Sequence, residues 1–366
     1  MDVWSKGCIG KVIVSNRFVH TAVGEGMATE NGAATQRLRD RYALLGRGGA
    51  IGLIITGHSY VAKSGQMRHG QTGAYADNLI RGLAAIASAA QRDGSRIFLQ
   101  ISHGGIASPR ELTGQEAMGP SAIQPEGQGT VRAMSISEIE EVIGQFAEAA
   151  RRAEDAGFDG VQVHLAHGFL GSQFLSPCYN LRDDAYGGSA ERRATFPAQI
   201  VKAIREKVGS GFAVTAKING MDFLPGGMSQ QDAIIASRLM KDSGLDGLEV
   251  SGGICIPNKN PEATPFPPVH PVTLKGACYF ADLAAAHRAA LNIPVTVVGG
   301  IRREEAANDL LNQGKADFIG ICRPIIREPD LLLRWREGRP DAPTCTSCNQ
   351  CLGRSRTGGV QCPAPL

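Results

Sequence analysis

"EDAGFDGVQVHLAHG", residues 154–168, compresses one unit of the fold into a single line: a charged helix exit, Gly157 to stop the helix, a turn, and an apolar run from Gly160. The same device returns in "KDSGLDGLEVS" (241–251) and "NQGKADFIGI" (312–321). Working outward, short β-branched and aliphatic runs predict strands over 17–23, 51–56, 96–102, 160–166, 212–218, 246–251, 294–299 and 316–321. Helical periodicity fills the intervals; the segment 136–156 opens with Ser135 and Glu138 placed as a capping box. Eight β/α units in succession predict an α/β fold class, a TIM (β/α)8 barrel, with a doubly wound open sheet as the alternative. The longest excursions (104–134, 168–190, 220–227 and 252–271) all follow strands, so the chemistry is expected at the strand C-termini.

A chain of 366 residues fits either two average domains or one such barrel. Hydrophobic residues make up 43% and charged residues 20%, which supports a large core and excludes a disordered chain. Net charge is +3 with Lys and Arg dispersed, so no nucleic-acid partner is expected. The start, "MDVWSKGCIGKVIVSNRF", lacks a basic and then apolar leader, and no run of about 18 apolar residues occurs. No membrane association is expected, and the reading is cytoplasmic. Of nine cysteines, Cys8, Cys178, Cys255, Cys278 and Cys322 are scattered; the remaining four crowd the C-terminus. A disulfide framework would spread its cysteines, so the terminal cluster suggests a metal site. The expected division is a barrel over 1–340 and a Cys-rich C-terminal tail over 341–366.

The strand exits carry the candidate chemistry. "VVGGIRREEA" (297–306) and "GICRPIIREP" (320–329) offer Gly299 and Gly300, bare backbone beside a helix start, and the guanidinium fork of Arg323. Barrels commonly hold phosphate there, in isomerases as in flavoproteins. Gln100 and His103 end the third strand, His164 and His167 the fourth, and Lys217 the fifth. An amide, imidazoles and an ammonium on one face suit a flat heterocycle or an oxygen that gains negative charge. His164 and His167 share one cavity only if the chain turns at Gly168. A zinc site of the H-E-x-x-H kind is disfavoured, because that motif needs a helix and a carboxylate.

With "NRFVHTAVGEGMATENG", "GLIITGHSYV", "LQISHGG", "VHLAHGFLGSQFLSPCYNLRDDAYGGSAERR", "VVGGI" and "GICRPIIREPDL", the chain resembles the Old Yellow Enzyme family of FMN-dependent oxidoreductases. The likeness is greatest to the branch of 2,4-dienoyl-CoA reductase and trimethylamine dehydrogenase. It implies non-covalent FMN with its phosphate at Gly299, Gly300, Cys322 and Arg323. It also implies an isoalloxazine edge held by backbone of Thr21, Ala22, Val23 and Gly24, by Gly57 or His58, by Gln100, and by Lys217 where relatives often carry Arg. His164 and His167 match the pair that grips the acceptor's oxygen, and NAD(P)H is the implied electron donor. Many relatives place a proton-donating Tyr where this chain has Phe169, which cannot donate. Tyr179 or a water is the substitute donor, or else the acceptor needs no such proton, or the natural direction is oxidation. Gly24 stands where some relatives have a Cys that tunes the flavin.

The tail "CTSCNQCLGRSRTGGVQC" (345–362) supplies Cys345, Cys348, Cys351 and Cys362. Three thiolates at every third position and a fourth farther on fit an iron-sulfur cluster better than zinc, which more often takes two separate knuckles. The related multidomain enzymes carry [4Fe-4S] at a similar place; either that or zinc is expected here. No FAD- and NADH-binding domain follows in this sequence, which makes an electron-transfer protein an expected partner, beside a small electron-poor substrate and a second copy of the chain. Three functions stand at this point: reduction of an activated alkene or similar acceptor, dehydrogenation of an amine or dienoyl thioester with electrons leaving through the cluster, and a non-redox phosphate-binding barrel with a zinc-stapled tail.

Overall fold

The computed structural model describes residues 1–123, 130–254 and 277–363. Most of the Pro-rich stretch expected at 252–271, with Cys255, lies outside them. Eight parallel strands close on themselves: β1 (Phe18–His20), β2 (Leu53–Ile55), β3 (Arg96–Ser102), β4 (Gly160–Leu165), β5 (Ala213–Asn219), β6 (Gly247–Ser251), β7 (Val295–Val298) and β8 (Phe318–Ile321). Each pairs with its sequence neighbour, and β8 returns to β1 through Ile319↔Phe18 and Ile321↔His20. This is the TIM barrel, and the open sheet is set aside because no edge remains between β8 and β1.

The helices wrap the outside by the amphipathic logic of their sequences. Ile136–Asp155 buries Ile139, Val142, Phe146 and Ala150 against the barrel, and its Ser135/Glu138 capping box is formed on both sides. Such a cap stabilises a helix by about 1 kcal/mol. The three helix-stop glycines adopt left-handed backbone, with φ of 78° at Gly157, 105° at Gly244 and 67° at Gly314. At the N-terminal end of the barrel an antiparallel hairpin, Gly7–Ile9 with Val12–Val14, plugs the floor. There Ile9, Val14, Val19, Leu53, Ile55, Phe98, Ala213 and Phe318 fill the interior with apolar volume. The interior above that layer is polar, and it belongs to the site.

Strand β1 is shorter than the expected 17–23. After Thr21 N–H donates to the Ile321 carbonyl at 3.2 Å, the chain leaves the ladder and crosses the mouth. The tail packs onto this crossing segment. Val23, Ile326, Cys351 and Val360 form one apolar cluster, Val360 N–H donates to the Glu25 carbonyl at 2.7 Å, and Arg37 donates to the Gly358 carbonyl at 2.8 Å. Among the described residues no helix is long and apolar enough to cross a membrane.

Candidate active site

A cavity of about 820 Å³ opens at the strand C-termini. Its β7–β8 end is backbone and one guanidinium. Gly299 and Gly300 have φ of 107° and 73°, a region that disfavours any side chain. A Cβ at Gly299 would meet the Tyr279 ring at 2.4 Å. Arg323 is aimed into the space by Asn349, which accepts from Nη1 at 2.7 Å, and its Nη2 donates to the Tyr279 hydroxyl at 3.2 Å. Cys322, beside it, has its thiol pushed up to about 11 by burial, so it stays a neutral thiol.

Across the barrel runs a chain of side chains. Gln100 Nε2 donates to Gln162 Oε1 at 2.6 Å, Gln162 Nε2 donates to Glu249 Oε2 at 3.0 Å, and Glu249 Oε1 meets Lys217 Nζ at 2.8 Å. All four are buried. Lys217 therefore brings an ammonium to the cavity wall already paired with a buried carboxylate, which meets the cost of burying either charge alone. Gln162 and Glu249 were not singled out from sequence. Their signal was there: on strands of period two, Gln162 and His164, and Glu249 and Ser251, are the polar inward positions of otherwise apolar runs.

The imidazole pair comes together because the chain does turn, with φ of 65° at His167 and 81° at Gly168. Asn219 holds that turn, accepting from His167 N–H at 3.1 Å while its amide donates to Asp222 at 3.0 Å. His167 Nε2 lies 2.8 Å from the Ser251 hydroxyl. The two rings stand 5.2 Å apart at 82°. Ala166 N–H donates to His164 Nδ1 at 3.4 Å, which leaves the proton on Nε2. Burial first, then Lys217, holds both imidazoles well below the ordinary histidine value, so they are neutral hydrogen-bond donors. Phe169 packs edge-on to His164 at 4.9 Å and lies 5.4 Å from the His58 ring.

His103 is not part of this set. Gly105 N–H donates to its Nδ1 at 3.0 Å and Ser64 lies 3.2 Å from its Nε2, because the chain folds back at Gly104 and carries the ring onto the loop. Tyr179 is buried with Ile106, Val131 and Ile254, away from the cavity lining. Of the expected positions, Ala22, Val23, His167, Lys217, Gly299, Gly300, Cys322 and Arg323 line the cavity. Thr21, Gly24, Gly57, His58, Gln100, His164 and Phe169 lie outside that lining. Gly57 N–H is taken by Glu25 Oε1 at 2.7 Å, and the same oxygen accepts from the Tyr42 hydroxyl. This buried carboxylate pins the crossing segment to the exit of β2, a role that only the fold reveals.

Cys345, Cys348, Cys351 and Cys362 line one separate cavity of about 450 Å³, and Arg323 and Asn349 line both this and the larger one. Arg327 reaches Cys362 Sγ at 3.4 Å. Among the described residues no three ligating side chains converge on a point that would hold a single metal ion.

Residues 8–342 match the NADH:flavin oxidoreductase / NADH oxidase family. The chain belongs to that family. Two curated relatives are a metal reductase of Desulforamulus reducens, 36% identical over 96% of this chain and 51% of that protein, and an NADH oxidase of Thermoanaerobacter brockii, 35% identical over 96% and 54%. The chain thus spans about half the length of both. Among solved structures, a 2-naphthoyl-CoA reductase complex superposes with a TM-score of 0.91 at 26% identity, covering 98% of this chain and 56% of that one. The Old Yellow Enzyme resemblance is thereby established, and it removes the non-redox barrel from the readings.

Proposed function

We propose that the protein is an FMN-dependent NAD(P)H oxidoreductase that reduces an activated alkene or similar electron-poor acceptor in the cavity at the barrel mouth. The carrying observation is a glycine-and-arginine cradle in one cavity with the neutral His167, whose ring stands 5.2 Å from that of His164 behind it. Gly299, Gly300, Cys322 and Arg323 would take the FMN phosphate; Thr21 to Gly24, His58, Gln100 and Lys217 would hold the ring system. Bound there, FMN supplies two-electron chemistry that no side chain offers.

The chain's own residues do the rest. His164 and His167, fixed by Ala166, Asn219 and Ser251, donate to the acceptor's oxygen, where charge builds during reduction. Phe169 closes the wall beside His164 and offers no proton. Tyr179, buried in its apolar cluster, is a weaker candidate for that proton than water entering the mouth, which is the donor in this reading.

A second reading rests on the cysteine cavity. Arg323 and Asn349 line both it and the larger one. Three thiols at every third position and a fourth farther on suit an iron-sulfur cluster better than zinc, which more often takes two separate knuckles. The four cysteines would then hold such a cluster, and the protein would pass electrons to or from an external carrier as a dehydrogenase. Anaerobic titration of the purified protein with NADPH and then NADH, followed by 2-cyclohexenone, separates the two. Bleaching of the flavin and recovery by the enone is the expected result. A flavin that neither nicotinamide bleaches, in a protein holding iron and labile sulfide, would sink the first reading in favour of the second.

A further inference from the structure

Gly24 and Arg68 are a matched pair. A Cβ built on Gly24 would fall 1.4 Å from Arg68 Nη2 and 2.3 Å from its Cζ, so only a glycine lets the guanidinium lie against the backbone here. From that seat Nη2 reaches His58 Nε2 at 2.6 Å, and Nη1 reaches the hydroxyl of Ser355 in the tail helix Gln350–Thr357 at 3.4 Å. The His58 ring in turn stands 5.9 Å from the His164 ring. Arg68 thus contacts the Gly24 backbone and the His58 ring, two positions that the FMN reading gives to the isoalloxazine edge, and the His58 ring links it to His164.

We infer that Arg68 sets the reduction potential of the bound flavin, holding a fixed positive charge in the volume that Gly24 leaves open. The inference rests on the FMN reading above. Two electrons arriving with one proton leave the flavin ring one charge more negative than before. A guanidinium is charged at every working pH, and, half-buried as Arg68 is, it stabilises a nearby reduced ring more than the oxidised one. Gly24 is then the residue that makes room for the charge.

The test is the midpoint potential of FMN in the purified holoprotein, read by anaerobic reductive titration against a reference dye. R68Q is expected to shift the equilibrium with the dye about tenfold toward oxidised flavin, about 30 mV for a two-electron couple. R68K, which keeps the charge, is expected to retain most of the wild-type value. G24A leaves Arg68 in the sequence but pushes its guanidinium off the seat; it should move the potential in the same direction as R68Q and add nothing in the R68Q background. This second variant also reads the effect should R68Q fail to fold. An unchanged potential in both R68Q and G24A overturns the inference and leaves the FMN reading standing. Equal losses in R68Q and R68K overturn it as a charge effect, and a wild-type protein that neither contains nor takes up FMN overturns both.

Discussion

At the β7–β8 end of the mouth the groups that the proposed function gives to the FMN phosphate are backbone amides and one guanidinium, contributed by two short contiguous stretches, 297–301 and 320–324. At the β2–β6 end they would be side chains drawn from many strands and loops: Arg68, Gln100, Gln162, His164, His167, Lys217 and Glu249. The first end can grip a phosphate whatever the protonation of its surroundings. The second, in the proposed function, depends on neutral imidazoles and an intact buried ion pair. In that reading one end retains the cofactor and the other does the chemistry, and their sensitivities should differ accordingly.

Acid is the strongest way to pull them apart. His20 is held to about 3 and His103 to about 4, both chiefly by burial, and His58, His164 and His167 are likewise depressed. Unfolded histidines protonate near 6.5, so below that pH the unfolded chain binds more protons than the folded one, and stability falls as pH falls toward those folded values. At pH 4, His20 and His103 alone should each oppose folding by roughly 3 kcal/mol, a large share of a domain's stability. The urea midpoint is expected to be steady above pH 7 and to drop steeply between pH 6.5 and 4. A midpoint that holds level down to pH 5 would mean that these histidines are already charged in the fold.

Next in size is loss of the imidazoles themselves. In H164A/H167A, reoxidation of the reduced flavin by an enone should slow by at least about 10³-fold per bound FMN, since one preorganised donor is commonly worth 10²–10³. Arg323→Ala should act on the other end: FMN affinity weakens about 10- to 100-fold, as expected for one hydrogen-bonded charge, while turnover at saturating FMN changes little. Exchange of these two phenotypes would erase the division between the ends.

The same division explains what the sequence made legible. All eight strands could be read because a strand's period and a glycine stop are local signals, and Gly157, Gly244 and Gly314 mark three exits by backbone conformation alone. Gly299, Gly300 and Arg323 were visible for the same reason, since a backbone cradle is written contiguously. Gln162 and Glu249 needed the inward register of β4 and β6 to be noticed. Arg68, Glu25 and Asn349 needed more, because loops carry them to the mouth and no spacing rule predicts where a loop returns. His103 shows the opposite error: adjacent in sequence to the strand exit, it is turned onto Ser64 and Gly105 by the reversal at Gly104. The tail was read as a separate segment, and its contacts through Val360 and Gly358 arise only once the loop after β1 exists to receive it.

Phe169 gives the smallest expected effect and the finest test of the chemical end. A positioned general acid contributes 10²–10⁴-fold where proton delivery limits the rate. If Phe169 were a mere loss of that acid, F169Y should restore a gain of this order with an enone. The ring, however, is wedged against His164 at 4.9 Å and His58 at 5.4 Å, so an added hydroxyl must fit a wall already packed for a hydrocarbon edge. The expected gain with 2-cyclohexenone is less than tenfold, and quinone reduction, which does not wait for a proton on carbon, should stay unchanged. A gain above 10² with the enone alone would show that proton delivery limits enone reduction by the wild-type protein, and that Phe169 is the loss of that acid.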